Sequence, residues 1–303
     1  MTESKVTIGV CVRNGEDHIR NVINSIVDQD FPHELMEVIF VDDGSEDKTL
    51  SVIESYVPKM DMKVKIFHHE WKGLGYSRNV IIDNANSEYI IWVDCDMKLS
   101  RNFVRKQIEF MEQNPKVGIG KGMYGMYSEV NLVGILENME FITNDCKYDE
   151  KSMPISVGTG GSIYRVKAIR QIGGFDSHIR RAGEDTDAEH RISKAGWLLC
   201  RTQALFYEIR RKTWKGIWEE YFKRGYDGNY VAHKNGVQAI SSLYKMFPPT
   251  AILDEVLRSF VAYKLTRRKE VFLLPFHWAF KRTAWCLGFV IGYLREHNLV
   301  TIT

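Results

Sequence analysis

Short β-branched runs alternate with stretches of helical period through the first half of the chain. VTIGVCV at 6–12 is followed by apolar residues at Ile19, Val22, Ile23, Ile26 and Val27, which predicts a strand and then an amphipathic helix. Further strands are predicted at 38–41 (VIFV), 64–67 (VKIF) and 89–93 (YIIWV), with helices near 47–56 and 77–84 between them. Alternation of this kind predicts βαβ units in a largely parallel sheet covered by helices, with ligands at the carboxyl ends of the strands.

Residues 116–204 carry glycine punctuation (VGIGKGMYG, SVGTGGSIY, IGGFD), a short helix near 187–195 and a strand at 197–202, and read as the mixed half of the same domain. From 213 the period is helical, over 214–226, 252–265 and 271–294. The last stretch, VFLLPFHWAFKRTAWCLGFVIGYL, is broken by Lys281 and Arg282 into uncharged runs of about a dozen residues. That is short of the roughly 20 that a membrane span needs. An interfacial or re-entrant helix pair is one reading, and a C-terminal helix that caps the sheet or forms a dimer contact is the other. The expected organisation is a catalytic domain over 1–235 and a helical extension over 236–303.

Composition changes this picture little: 303 residues with 44% hydrophobic and 26% charged side chains exclude a disordered or fibrous class. Charge distribution changes it more. The net charge is +2, but residues 1–204 carry 25 Lys and Arg against 31 Asp and Glu, whereas 205–303 carry 16 against 8. A basic, aromatic second part suits an anionic membrane surface better than a nucleic acid. Five scattered cysteines without a CxxC argue against a disulfide framework or a thiolate zinc site and predict a reducing, cytoplasmic setting, at the cytoplasmic face of a membrane. Met1 to Lys5 runs straight into a strand, so no secretory signal is expected.

Candidate chemistry gathers at strand ends. Asp94-Cys95-Asp96 follows YIIWV, and two carboxylates at i, i+2 where the chain turns offer hard oxygen ligands to Mg²⁺ or Mn²⁺, and through the metal to a diphosphate. The plain alternative is an acidic turn. Asp42 and Asp43 end another strand before Gly44-Ser45 and could accept a hydrogen bond from a ribose hydroxyl or a base imide, while Ser45 or Asp47 caps the next helix. In KGLGYSRN at 72–79, Gly73 precedes a helix whose first turns carry Arg78, a candidate for anionic oxygens. His68 and His69 are adjacent on a strand, point to opposite faces and read as structural or solvated. Trp214, Trp218 and Tyr221 share a helix face and read as core.

Taken in order, these motifs resemble the inverting family 2 glycosyltransferases of GT-A fold, over about residues 5–226. VRNGE, with Val12, Arg13, Asn14 and Glu16, resembles the family's first nucleotide-binding loop; DDGSED matches its uridine-contacting motif. KGLGYSRN matches its glycine-to-Arg-Asn segment, and Asp94, Cys95 and Asp96 match its metal-binding DxD. GGFD at 173–176 precedes Gly183-Glu184-Asp185, as the family's acceptor-side acidic motif does, and SVGTGGSIYR at 156–165, with Gly160 and Gly161, resembles its acceptor-side loop.

The resemblance implies a nucleotide-sugar donor, a UDP-sugar favoured, held by Mn²⁺ or Mg²⁺ on Asp94 and Asp96. It implies Asp185 as general base for the acceptor hydroxyl and Glu184 as its neighbour touching sugar hydroxyls, in one inverting displacement. Thr186 to Glu189 reads as a capping box, leaving Asp185 just outside the helix. Where many members carry a histidine this chain has Glu208, a further hard ligand or a solvated charge beside Arg210 and Arg211. The QxxRW motif of processive synthases is absent from 221–226, which favours transfer of a single sugar to a glycan or polyprenyl-linked acceptor. Other classes compatible with these residues are a nucleotidyltransferase and a non-catalytic nucleotide-sugar-binding protein.

Overall fold

A computed structural model of the protein describes residues 4–125, 131–145, 157–179, 182–209, 213–234 and 248–296; Cys146, Ser156, Arg210, Arg211 and the start of the expected extension lie outside these. The chain divides into two compact units, one of 1–125, 148–180 and 184–208 and one of 126–147, 181–183 and 209–303.

The first unit is built on an eight-stranded sheet in the order β3-β2-β1-β4-β7-β6-β8-β5. β1 (Val6–Val12), β2 (Met36–Asp43), β3 (Lys63–His69) and β4 (Tyr89–Trp92) run parallel. β1, β2 and β4 are buried along their whole length, which is why their sequences read as continuous apolar runs. α1 (Ile19–Val27), α2 (Thr49–Tyr56) and α4 (Phe103–Gln113) pack on one face through Val22, Ile53 and Phe103. α3 (Leu74–Asn84), α6 (Val166–Gln171) and α7 (Glu184–Lys194) pack on the other through Ile81, Ile169 and Ile192. β2 and β4 leave β1 in opposite directions, so β1 is the switch point and its carboxyl end opens a crevice.

The other half mixes directions: β7 (Ser162–Arg165) is antiparallel to β4 and β6 (Val117–Tyr124), β8 (Leu198–Glu208) is parallel to β6, and β5 (Met97–Leu99) is antiparallel to β8. Two expectations change here. The strand predicted at 197–202 continues to Glu208, because Ala204 and Phe206 alternate inward and Phe206 pairs with both Leu99 of β5 and Tyr124 of β6. Helix α7 begins at Glu184, so Asp185 lies in its first turn. The predicted capping box does not form: Glu189 instead accepts hydrogen bonds from the amides of Val157 and Gly158.

The second unit holds α5 (Leu132–Asp145), α8 (Trp214–Lys234), α9 (Pro248–Thr266), a 3-10 turn (Lys269–Leu273) and α10 (Leu274–Glu296). α8 and α10 cross closely at glycines: a Cβ at Gly225 would lie 2.0 Å from the Trp285 carbonyl oxygen, and one at Gly288 would lie 2.1 Å from that of Phe222. Tyr221 is buried and the Trp218 ring lies 5.2 Å from Phe280, as expected of core positions, whereas Trp214 at the start of α8 is 41% exposed and departs from that expectation. Lys281, which interrupts the apolar run in the sequence, is fully buried with its ammonium 2.6 Å from both Glu137 Oε1 and Glu140 Oε2. Among the described residues no helix is long and apolar enough to cross a membrane.

Candidate active site

The parallel register aligns Val12 with Asp42, and the loops that follow them are joined by hydrogen bonds. The Asn14 amide donates to Ser45 Oγ (2.9 Å) and Asn14 Oδ1 accepts the Glu46 amide (2.8 Å), with Asn14 at φ 52°. The Gly15 amide donates to Thr49 Oγ1, and Glu16 accepts the Lys48 amide at 2.9 Å. Glu16 thus joins the two loops. Gly44 has φ 73°, and a Cβ there would lie 2.6 Å from the Trp71 amide nitrogen, so only glycine fits this crossing. Arg13 lies over the exposed Trp71 ring at 5.4 Å, and its guanidinium donates to the Gly44 carbonyl.

Asp42 accepts from the Ser45 amide (3.0 Å) and lies 3.1 Å from His68 Nδ1. Asp43 accepts from the amides of Lys72 (2.7 Å) and Gly73 (3.0 Å), which fixes the entry to α3, and His69 Nδ1 lies 3.4 Å away. The adjacent histidines do point to opposite faces, each toward the carboxylate beside it in register.

Arg78 departs from its expected place. It projects from α3 into the interior, 4% exposed, where it forms an ion pair with Glu184 and lies 3.7 Å from Asp94 Oδ1. A guanidinium so enclosed is placed to hold these two carboxylates. Glu184 is equally buried, its Oε2 has no hydrogen-bond partner, and burial pushes its carboxyl up to about 7 against the pull of Arg78. The nearby Cys11 thiol is pushed up to about 12 by burial and is unreactive.

After β4 the chain turns tightly, the Met97 amide donating to the Asp94 carbonyl at 3.1 Å. Asp94 is half-exposed, and Cys95 sits beside the first loop, its Sγ 3.6 Å from the position of a Gly15 Cβ. Facing this turn is the glycine loop before β7. A Cβ on Gly160 would lie 2.4 Å from Asp94 Oδ2, and one on Gly158 would lie 3.6 Å from Asp185 Oδ2. The loop therefore leaves no room for a side chain beside the Asp-Cys-Asp turn at Gly160, and its Gly158 faces the first turn of α7. Gly161, at φ 70°, donates to the Trp92 carbonyl and accepts from Gln107 Nε2. The buried Lys121 ammonium donates to the Gly160 carbonyl.

Glu208 ends β8 opposite Met97, one residue past Asp96, which puts its backbone beside the Asp-Cys-Asp turn. The carboxylates of Asp94, Asp96 and Glu208 suit Mg²⁺ or Mn²⁺ in donor type, although their oxygens do not converge to ligand spacing. The group that does converge among the described residues is Glu137, Glu140 and His277 in the second unit, where the Lys281 ammonium already sits against both carboxylates.

Trp71 and Lys121 have no role predicted from the sequence, and Glu189 is read there only as part of a helix cap. Only Lys121 left a sign there, as a single cation inside the apolar strand VGIGKGMY.

The family description "Glycosyl transferase family 2" matches residues 7–173, just over half the chain. The chain belongs to glycosyl transferase family 2. Relatives include the poly(ribitol-phosphate) beta-N-acetylglucosaminyltransferase TarS of Staphylococcus aureus, 33% identical over 110 residues, 36% of this chain and 19% of that protein. Glycosyltransferase GlyA of Streptococcus pneumoniae is 23% identical over 238 residues, 73% of this chain and 33% of that protein. The chain therefore spans between about a fifth and a third of the length of these family 2 relatives. Among solved structures, the mannosyltransferase PcManGT of Pyrobaculum calidifontis, in complex with GDP-Man and Mn²⁺, superimposes with a TM-score of 0.71 at 15% identity, over 98% of this chain and 89% of that one. TarS 1–349 in complex with UDP-GlcNAc gives 0.54 at 17% identity, over 98% and 93%. The fold is GT-A, as the motif order implied.

Proposed function

We propose that this family 2 protein transfers one sugar from a nucleotide diphosphate sugar to a hydroxyl acceptor with inversion, Asp185 acting as general base. One observation carries the reading. The glycine loop at 158–161 lies close to Asp94 at Gly160 and faces Asp185 at Gly158, where an added Cβ would come within 3.6 Å of its Oδ2, so the donor-side and acceptor-side carboxylates flank one loop at the carboxyl edge of the sheet. Inversion needs a base on the side of the sugar opposite the leaving diphosphate, and two carboxylates across one loop suit that division.

In this reading Val12, Arg13, Asn14, Asp42 and Asp43, with Glu16 bracing the loop, form the nucleoside side of the crevice, and Asp43 sets Gly73 at the entry to α3. Asp94, Asp96 and Glu208 would hold Mn²⁺ or Mg²⁺, with Cys95 between the two aspartates; a bound metal supplies positive charge to the departing diphosphate. Gly160 and Gly161 let the acceptor approach the backbone, and Glu184, locked to Arg78, holds the start of α7 so that Asp185 faces the loop. UDP is the favoured nucleotide, supported by the UDP and UDP-GlcNAc complexes of TarS, while the GDP-Man complex of PcManGT makes GDP the first competitor. A glycan or polyprenyl-linked acceptor, met at the cytoplasmic face of a membrane through the C-terminal helices, fits the basic, aromatic second part of the sequence.

The test is calorimetric binding of UDP, GDP, CDP and dTDP with and without Mn²⁺ to wild type, Asp96→Ala and Asp185→Asn. Metal-dependent binding of one nucleotide, lost in Asp96→Ala and kept in Asp185→Asn, is expected. Donor turnover should fall about 10²-fold or more in Asp185→Asn. Unchanged turnover in that variant would point to another base, and donor binding without turnover in the wild type would leave a binding protein.

A further inference from the structure

Helix α9 is amphipathic the wrong way round. Its inward positions are Glu255, Ser259 and Ala262, all at 4% exposure or less, whereas Val256, Leu257, Phe260, Val261 and Leu265 face outward, with Leu257 70% and Phe260 56% exposed. A helix resting on a core alone would show the reverse pattern. The apolar face continues past the helix end, where Arg267 at φ 58° turns the chain and Phe272 brings its ring to 5.5 Å from both Phe260 and Tyr263. Phe276, 73% exposed, extends it at the start of α10. At this same end stand Lys264, Arg267, Arg268 and Lys269, four cations in six residues, none of them in an ion pair among the described residues.

We propose that the outward face of α9 and the turn after it form a docking surface for an anionic lipid bilayer, with the helix lying in the interface plane. The inference deepens the membrane-proximal part of the proposed function and rests on it, but not on the identity of the donor. Charge decides the occupant. An apolar stripe ending in four unpaired cations matches acyl chains beneath anionic headgroups. A second copy of the same face would set like charges against each other. No described helix is both long and apolar enough to cross a membrane, and this one, with its polar inward side, is suited to lie on the surface.

Flotation of the full chain with vesicles of phosphatidylcholine alone, or mixed with phosphatidylglycerol, tests this. Binding to the mixed vesicles that weakens with added salt is expected. Leu257→Gln combined with Phe260→Gln alters exposed positions only, and should lower the partition coefficient at least about ten-fold for each side chain while leaving the melting temperature unchanged. Lys264→Gln combined with Lys269→Gln should cost about five-fold per cation on mixed vesicles and nothing on phosphatidylcholine alone. Equal flotation of wild type and the Leu257/Phe260 variant, or a dimer by light scattering that the Phe260 change dissolves, would overturn the proposal. Nucleotide binding measured on the same variants separates this outcome from failure of the transferase reading, since flotation can be lost with donor binding intact.

Discussion

Arg78 and Glu184, 106 residues apart in sequence, form a buried ion pair beneath the crevice, and the same guanidinium lies 3.7 Å from Asp94. One cation thus ties the start of α7, which carries Asp185, to the turn that carries the Asp-Cys-Asp motif. The planar fork of an arginine can face two carboxylates at once, which the point charge of a lysine cannot do with the same geometry.

Arg78→Met is expected to lose about 3–5 kcal/mol of stability at pH 8, because Glu184 must then either stay charged without its buried partner or take up a proton. Arg78→Lys should keep more of the fold but lower turnover at least about ten-fold, since both carboxylates lose their fixed placement. Urea unfolding and donor turnover on the two variants check this; a Lys variant with wild-type turnover would show that positioning through the fork is not needed.

Glu184 gives the unit a pH dependence of determinable sign. Burial raises its carboxyl from 4.5 to about 7 in the folded state, while Arg78, raised by the same pair, stays charged throughout. The folded protein therefore holds this proton more tightly than the unfolded chain. Its stabilising contribution is full below about 4.5 and is lost as pH rises through about 7, a change on the order of 3 kcal/mol at 1.36 kcal/mol per pH unit. Unfolding free energies at pH 5 and pH 8 should differ by less in Glu184→Gln than in wild type. Equal differences would remove Glu184 as the titrating group.

Gly160 and Gly173 separate contact from conformation. Gly160→Ala would push a methyl to 2.4 Å from both Asp94 Oδ2 and Met97 Cε, so metal-dependent nucleotide binding should weaken at least about ten-fold, with about 1–3 kcal/mol of overpacking. Gly173→Ala meets nothing within 4 Å but sits at φ 76°, and should cost about 1–2 kcal/mol with binding unchanged. Calorimetric titration and thermal melts on the pair distinguish the two; unaltered binding in Gly160→Ala would detach the loop from the donor side.

The parallel half of the sheet was legible because buried strands write themselves as continuous apolar runs, and the strand-end motifs Asp42-Asp43 and Asp94-Cys95-Asp96 fall where those runs stop. Long-range partnership was not legible. Arg78 carries the same signature whether it faces a phosphate or Glu184, and no local period distinguishes the two. The reading of Thr186 as a cap failed for a related reason: Glu189 had a tertiary partner, the amides at 157 and 158, that outweighed its own helix. Lys281 misled in the opposite sense. A cation inside an apolar run reads as an interruption at the surface, yet here two glutamates from another helix accompany it inside.

That buried cluster yields the remaining prediction. Lys281 lies against Glu137 and Glu140, and His277 Nε2 is 3.1 Å from Glu137, so two carboxylates share two basic groups with no water-exposed member. Burial alone would lower the His277 value, but its contacts with the two glutamates outweigh burial and hold it above 6.5. Lys281→Met leaves the two glutamates with His277, 3.1 Å from Glu137 and 3.5 Å from Glu140, in place of the ammonium that sat against both, so the unit should lose about 3–5 kcal/mol. A raised histidine stabilises fully below its unfolded value and loses that contribution as pH rises through its folded one. The deficit of Lys281→Met should therefore be smaller at pH 6, where His277 is charged, and grow only as pH rises through the raised folded value of His277. Adding Glu137→Leu and Glu140→Met should recover most of the loss, because a fully apolar cluster has no buried charge left to compensate. Guanidinium unfolding of the three proteins at pH 6 and at higher pH decides it, and a deficit independent of pH would show that His277 does not share the charge.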